Sequence, residues 1–428
     1  MSLWAYNLLM RALQPWVRRK LARRAQSEPQ YAEHVEQRFG RYAEPAKPVD
    51  LWIHAVSLGE SRAAQILLSA MRLQRPGLRV LLTHGTATGW EQGQQMLQPG
   101  DLQAWLPWDT TEAVCGFLDH FQPRMGVLME TEVWPNLVHA CRSRGIELVL
   151  ANARLSEKSL RSALHLSWWA LPAYQALTMV WPQTDADARR FTRLGVKFML
   201  TLGNLKYDQQ PDVALLAQGQ ALKEHLPKPV LMLASSRQGE EAAWAQALRG
   251  QTDLCLPWVV PRHPQRFDEV ADVLRTHGFK VLRRSQMSFD EADLTQCAQA
   301  NTVVLGDSLG EMAFYYGVAQ VALMGGSFER FGGQNLIEAL ACGCPVVLGP
   351  HTYNFEQASA QAAEVGAALS AADMAQGVQK GLELCRSPDW RLAMSQHGLN
   401  MLKGHQGVAA RMAKQVLARL ERLTLKGH

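Results

Sequence analysis

From Leu51 onward the chain alternates short apolar runs with longer stretches of helical periodicity. That alternation confines it to parallel sheets with helices on both faces, because a parallel strand must be followed by a crossover that covers the sheet. In the first half the runs are Leu51 to Val56, Arg79 to Thr83, Met125 to Met129, Glu147 to Ala151 and Thr178 to Trp181. After a polar stretch at Asp208 to Asp212 the pattern restarts with Val230 to Ala234, Leu256 to Val260, Lys280 to Leu282, Thr302 to Leu305, Gln320 to Met324 and Pro345 to Leu348. A length of 428 residues exceeds what one hydrophobic core usually supports, so the pattern predicts two doubly wound domains joined near residues 205 to 228. The expected division is an N-terminal helical segment over 1–48, a first α/β domain over 49–205, a second over 206–385, and C-terminal helices over 386–428. The stretch from Leu382 has a basic surface and no following strand, and can pack back across the junction.

The first two dozen residues depart from this pattern. Leu3, Trp4, Tyr6, Leu8, Leu9, Met10, Leu13, Trp16 and Val17 make an apolar, aromatic surface, and Arg18, Arg19, Lys20, Arg23 and Arg24 follow it. Asn7, Arg11, Gln14 and Pro15 interrupt the run, whereas a spanning helix wants about twenty continuous apolar residues. The segment reads as an interfacial helix whose basic end meets an anionic membrane surface. The plainer alternative is a helix packed on its own domain. A net charge of +5 is compatible with phosphorylated ligands and far below that of a dedicated nucleic-acid binder, so no nucleic-acid partner is expected. The seven cysteines have no C-x-x-C spacing, which points away from a zinc cluster or disulfide framework and toward a reducing cytoplasm.

In open parallel sheets ligands bind beyond the carboxyl ends of the strands, so the residues just after each strand carry the chemistry. The first strand runs into Ser57-Leu58-Gly59-Glu60-Ser61, where Glu60 either accepts a proton from an acceptor hydroxyl or complements a helix N-terminus. A second acidic cluster, Met129-Glu130-Thr131-Glu132-Val133-Trp134-Pro135-Asn136, offers two carboxylates that can take different tasks or simply be solvated. Pro261-Arg262-His263-Pro264 sets a guanidinium beside a stiff turn, suited to a phosphate or carboxylate. Gly203-Asn204-Leu205-Lys206-Tyr207-Asp208 puts Lys206 at the junction. Met324-Gly325-Gly326-Ser327-Phe328, Gly332-Gly333-Gln334-Asn335-Leu336-Ile337-Glu338-Ala339 and Cys344-Pro345-Val346-Val347-Leu348-Gly349-Pro350 combine bare amides for an anion with a carboxylate, Glu338, for a ribose.

Taken together with Asn152-Ala153-Arg154-Leu155-Ser156, Gly306-Asp307-Ser308-Leu309-Gly310-Glu311-Met312 and Asn354-Phe355, these motifs closely resemble the 3-deoxy-D-manno-oct-2-ulosonic acid (Kdo) transferases, glycosyltransferase family 30, over nearly the whole chain. The resemblance implies a GT-B fold, with two Rossmann-like domains facing an interdomain cleft. It implies a metal-independent, inverting transfer of Kdo from CMP-Kdo to the tetraacylated lipid A precursor, lipid IVA, at the cytoplasmic face of a bacterial inner membrane. Carried over position by position, Glu60 is the general base and Glu130 and Glu132 shape the acceptor side. Lys206 and Arg262 hold the donor phosphate or sugar carboxylate, and Gly306, Asp307, Ser308, Leu309, Gly310, Glu311, Asn335 and Glu338 hold the CMP moiety. The sequence departs from the commoner pattern at Ser235-Ser236-Arg237-Gln238-Gly239-Glu240, where many relatives carry Thr-His-Glu before the Gly-Glu pair, and at Gln334, where His is frequent. The resemblance therefore assigns no role to Arg237, Gln238 or Gln334.

Two other readings use the same architecture. A nucleotide-sugar epimerase would have no need of an N-terminal membrane element, and a silent nucleotide-binding scaffold would have no need of Glu60, Lys206 and Arg262.

Overall fold

The computed structural model describes residues 3–426, so the outermost two residues of the expected N- and C-terminal segments lie outside the described residues. The chain divides into two compact units, Met1–Asp208 with Gly407–His428, and Gln209–Gln406. The first unit thus runs past residue 205 and includes Lys206. The segment over 386–428 is shared: the helix Pro388–His405 lies in the second unit, and the helix Val408–Lys426 in the first.

Among the described residues the first unit carries a six-stranded parallel sheet of β1 (Leu51–His54), β2 (Val80–His84), β3 (Leu102–Trp105), β4 (Met125–Met129), β5 (Glu147–Ala153) and β6 (Met179–Pro182), in the order β3-β2-β1-β4-β5-β6. In the second unit β7 (Val230–Ser236), β8 (Leu256–Pro261), β9 (Lys280–Arg283), β10 (Thr302–Leu305), β11 (Val321–Met324), β12 (Val346–Leu348) and β13 (Ala368–Ser370) lie in the order β13-β12-β11-β7-β8-β10-β9, all parallel. Both are doubly wound Rossmann-like sheets, and each reverses direction at one point: between β1 and β4 in the first, between β7 and β11 in the second. The two strands absent from the expected set, β3 and β13, are edge strands. Leu102 and Gln103 are half-buried and β13 is three residues long, so neither needs the continuous apolar run that marks a strand buried on both faces.

Two distant segments complete the first unit. The closing helix Val408–Lys426 buries Val408, Met412, Val416 and Leu420 against Leu67 and Met71 of the helix α2 (Leu58–Gln74, where α1 is Leu3–Arg24). Its N-terminus is capped from the interdomain segment: the Asp208 carboxylate accepts the Gly407 amide at 2.6 Å and the Ala409 amide at 2.5 Å. The α1 helix turns Tyr6, Met10, Val17 and Leu21 inward on one stripe. The Tyr6 hydroxyl donates to Asp109 at 2.8 Å, the Trp108 indole donates to the Met10 carbonyl at 2.8 Å, and the Thr111 amide donates to Asn7 at 2.9 Å. No helix of the described residues is long and apolar enough to cross a membrane.

Candidate functional site

The first unit gathers its acidic residues at the β1/β4 reversal. Ser57 caps α2 and Glu60 sits in that helix's first turn: the Val56 amide donates to Glu60 Oε2 at 2.9 Å and the Ser57 hydroxyl to Oε1 at 3.2 Å. The two sequence readings of Glu60 therefore describe one side chain, which completes a capping arrangement and still keeps a half-buried carboxyl at the strand mouth. Burial pushes that carboxyl up from 4.5 to about 7; the hydrogen bond from Val56 opposes the shift, and the nearby Glu130 and Glu132 add to it. A carboxylate of this basicity is half ionised at neutral pH and is matched to taking a proton from a hydroxyl.

Glu130 and Glu132 sit in different surroundings. Glu130 is buried at φ 56, in the left-handed region that costs a non-glycine residue about 1–2 kcal/mol, and is held by Arg154 Nε at 2.8 Å. Glu132 accepts the Trp134 indole N–H at 2.9 Å, and burial raises its carboxyl above the ordinary range. It lines a cavity of about 270 Å³ with Trp16, Lys20, Tyr31, Val56 and Trp108, so the acidic loop and α1 share one wall. Lys206 lies in the turn Leu205–Asp208 of the same unit, whose Leu205 amide donates to the Asn152 side chain at 3.0 Å.

In the second unit the loops at the β7/β11 reversal are tied by a residue that the sequence reading did not single out. Glu240 is fully buried; Oε2 accepts the amides of Arg237 at 2.8 Å and Gly326 at 2.7 Å, and Oε1 accepts those of Phe328 at 3.1 Å and Glu329 at 3.4 Å. Four amides on one carboxylate fix the glycine loop after β11 against the loop after β7. The loops approach so closely that a Cβ at Gly325 would stand 2.4 Å from the Ser235 carbonyl oxygen, while Gly326 takes a φ of 69°. Above them Arg262 donates through Nε to Gln334 Oε1 at 3.2 Å, and the Arg237 guanidinium lies 4.5 Å over the Phe331 ring. Burial, then the charges of Arg237, Arg262 and Arg266, hold the His263 imidazole below its usual range. The Gln that departs from the family pattern thus contacts the Arg expected to hold an anion.

The loop from Gly306 to Glu311 follows β10 and uses its side chains internally. Asp307 accepts the Ser285 amide and hydroxyl, both at 2.8 Å; Ser308 bonds to Glu311 and Tyr315; Glu311 pairs with Arg284 at 3.2 Å. Gly310 takes a φ of 81°, and Leu309 is exposed. Asn335 begins the helix Leu336–Ala341, and Glu338 is half-buried one turn into it. Among the described residues no group of three His, Cys, Asp or Glu side chains is arranged to hold a metal ion.

Two doubly wound Rossmann-like units are the fold of GT-B glycosyltransferases. A family model described as 3-deoxy-D-manno-octulosonic-acid transferase (kdotransferase) matches residues 33–209. The 3-deoxy-D-manno-octulosonic acid transferase of Bordetella pertussis is 43% identical over 426 residues, 95% of this chain and 96% of that one. Its counterpart in Haemophilus influenzae is 30% identical over 97% of this chain and 98% of that one. A glycosyltransferase from Rickettsia africae shares the fold at a TM-score of 0.57, with 10% identity over 89% of this chain and 99% of that one. The UDP-GlcNAc 2-epimerase of Neisseria meningitidis, bound to UDP-GlcNAc, does so at 0.56, with 10% identity over 87% and 99%; the last two similarities concern fold alone. The chain belongs to the Kdo transferase family and is a glycosyltransferase.

Proposed function

We propose that this chain transfers Kdo from CMP-Kdo to a hydroxyl of the lipid A precursor lipid IVA, with inversion at the anomeric carbon and no metal, at the cytoplasmic face of the bacterial inner membrane. The observation that carries the reading is the Glu60 carboxyl, raised to about 7 at the strand mouth beside Glu132. Glu60 takes the acceptor proton as the hydroxyl attacks. Glu132 and the cavity wall it shares with α1 meet the acceptor, while Glu130, locked to Arg154, fixes the loop that carries Glu132. On the donor side Arg262 and Lys206 meet the phosphate or sugar carboxylate. Asn335, Glu338 and the loop at Gly306, Asp307, Ser308, Leu309, Gly310 and Glu311 meet the nucleotide. The leaving group is a monophosphate, so fixed cations and amides suffice to stabilise its departure. The names of the relatives support Kdo as the transferred sugar.

Incubation with CMP-Kdo and lipid IVA, followed by CMP release and product mass, tests this. CMP appearing only when the lipid acceptor is present, with an added Kdo mass on the lipid, is the expected result. Release without acceptor, or an isomerised sugar nucleotide, would overturn it in favour of hydrolysis or epimerisation. Arg262→Ala and Glu338→Ala should each weaken CMP-Kdo binding by calorimetry, Arg262→Ala in the more salt-sensitive way.

A further inference from the structure

The outward side of α1 carries Trp4, exposed by 71%, with Leu8, Leu9, Leu13 and Trp16. A second exposed apolar pair, Leu166 at 56% and Trp168 at 60%, stands at the corner between the helices Glu157–His165 and Ser167–Ala176. The two elements that carry these patches touch: the ring of Trp169, next to Trp168, lies 5.5 Å from the ring of Tyr6 on α1. Each has its own exposed cations, Arg19, Lys20 and Arg23 on α1, and Lys158 and Arg161 on the helix before the corner. The other three basic residues of α1 are engaged within the protein: Arg11 pairs with Glu112, Arg18 pairs with Glu36 at 2.6 Å, and Arg24 lies 5.4 Å over the Tyr31 ring.

We propose that an anionic bilayer surface is gripped by two elements of the first unit, α1 and the corner at Leu166–Trp168 with Lys158 and Arg161 behind it. The inference rests on the membrane reading above and adds the second element to it. Indole and leucine side chains beside Lys and Arg match the boundary between acyl chains and anionic headgroups. The core of a protein interface is instead depleted of Lys. Contacts on two separate elements also fix the rotation of the unit about α1, which one helix lying on the surface leaves free.

Sedimentation of the full chain with vesicles of phosphatidylglycerol and phosphatidylcholine, at low and high salt, tests this. Leu166→Ser with Trp168→Ser should weaken binding about tenfold, comparably to Trp4→Ser with Leu8→Ser, since each removes a similar apolar area from the interface. Lys158→Glu with Arg161→Glu, at exposed positions, should weaken binding at low salt and leave little effect at high salt. Unchanged melting temperatures establish that the variants are folded; if the apolar corner pair melts early, the charge pair decides. Wild-type affinity for both corner variants, with loss in the α1 variant, overturns the second element and leaves the membrane reading standing. Absence of wild-type binding, or equal binding to pure phosphatidylcholine, overturns both.

Discussion

Glu60 shows how one side chain couples local structure and basicity through the same atoms. Its two oxygens accept the Val56 amide and the Ser57 hydroxyl, and the burial that comes with that position raises its basicity. Glu60→Gln should lower turnover at least about a hundredfold, the scale expected when general-base help is lost, with CMP-Kdo affinity near wild type. The base must be ionised, so kcat/KM of the wild type should rise with pH through a midpoint near 7, and the residual rate of the variant should lack that limb. Glu240 carries a different prediction. Replacement by Ala leaves four amides without their acceptor, and the second unit should lose about 2–4 kcal/mol in denaturant unfolding together with its CMP affinity. Glu60 was legible in the sequence because a strand, a glycine and a carboxylate are adjacent. Glu240 was not, because its partners Gly326, Phe328 and Glu329 lie more than eighty positions away and only the folded strand order brings them together.

At the scale of elements, the strands buried on both faces announced themselves, while β3 and β13, at sheet edges, did not. The N-terminal helix was legible as amphipathic, but its two faces carry different meanings. The stripe of Tyr6, Met10, Val17 and Leu21 belongs to the fold, so removal of the first 24 residues would strip bonds from Asp109, Trp108 and Thr111 and open the unit. Point changes on the outer face are therefore the sound probes of attachment. Tyr6→Phe should cost about 1–2 kcal/mol by removing one bond from a buried carboxyl. Burial raises that carboxyl, Asp109, from 3.8 to about 6, so the protonated form is the one the fold favours. Its stabilisation is complete below the unfolded value and drains as pH climbs through about 6. Amide protection in α1, corrected for intrinsic exchange, should fall over that interval; protection that rises would contradict the assignment.

At the scale of the whole molecule, the first unit is discontinuous and the second continuous. Deleting residues 407–428 removes Val408, Met412, Val416 and Leu420 from the first core and takes both partners from Asp208. The expected outcome is loss of cooperative melting of the first unit, while the second still binds CMP. Retention of both transitions would mean that the closing helix is dispensable.

That closing helix also sets a clock on biosynthesis. A ribosome finishes the six strands of the first sheet early, yet the piece that seals their core emerges about 200 residues later. At about 5–20 residues per second the nascent unit waits roughly 10–40 s with one apolar flank uncovered. Meanwhile the later unit, whose sheet is contiguous in the chain, can fold first. The second unit has all its residues once Gln406 has emerged, before the first is sealed, so an N-terminal half with an open core is the form that a chaperone meets first.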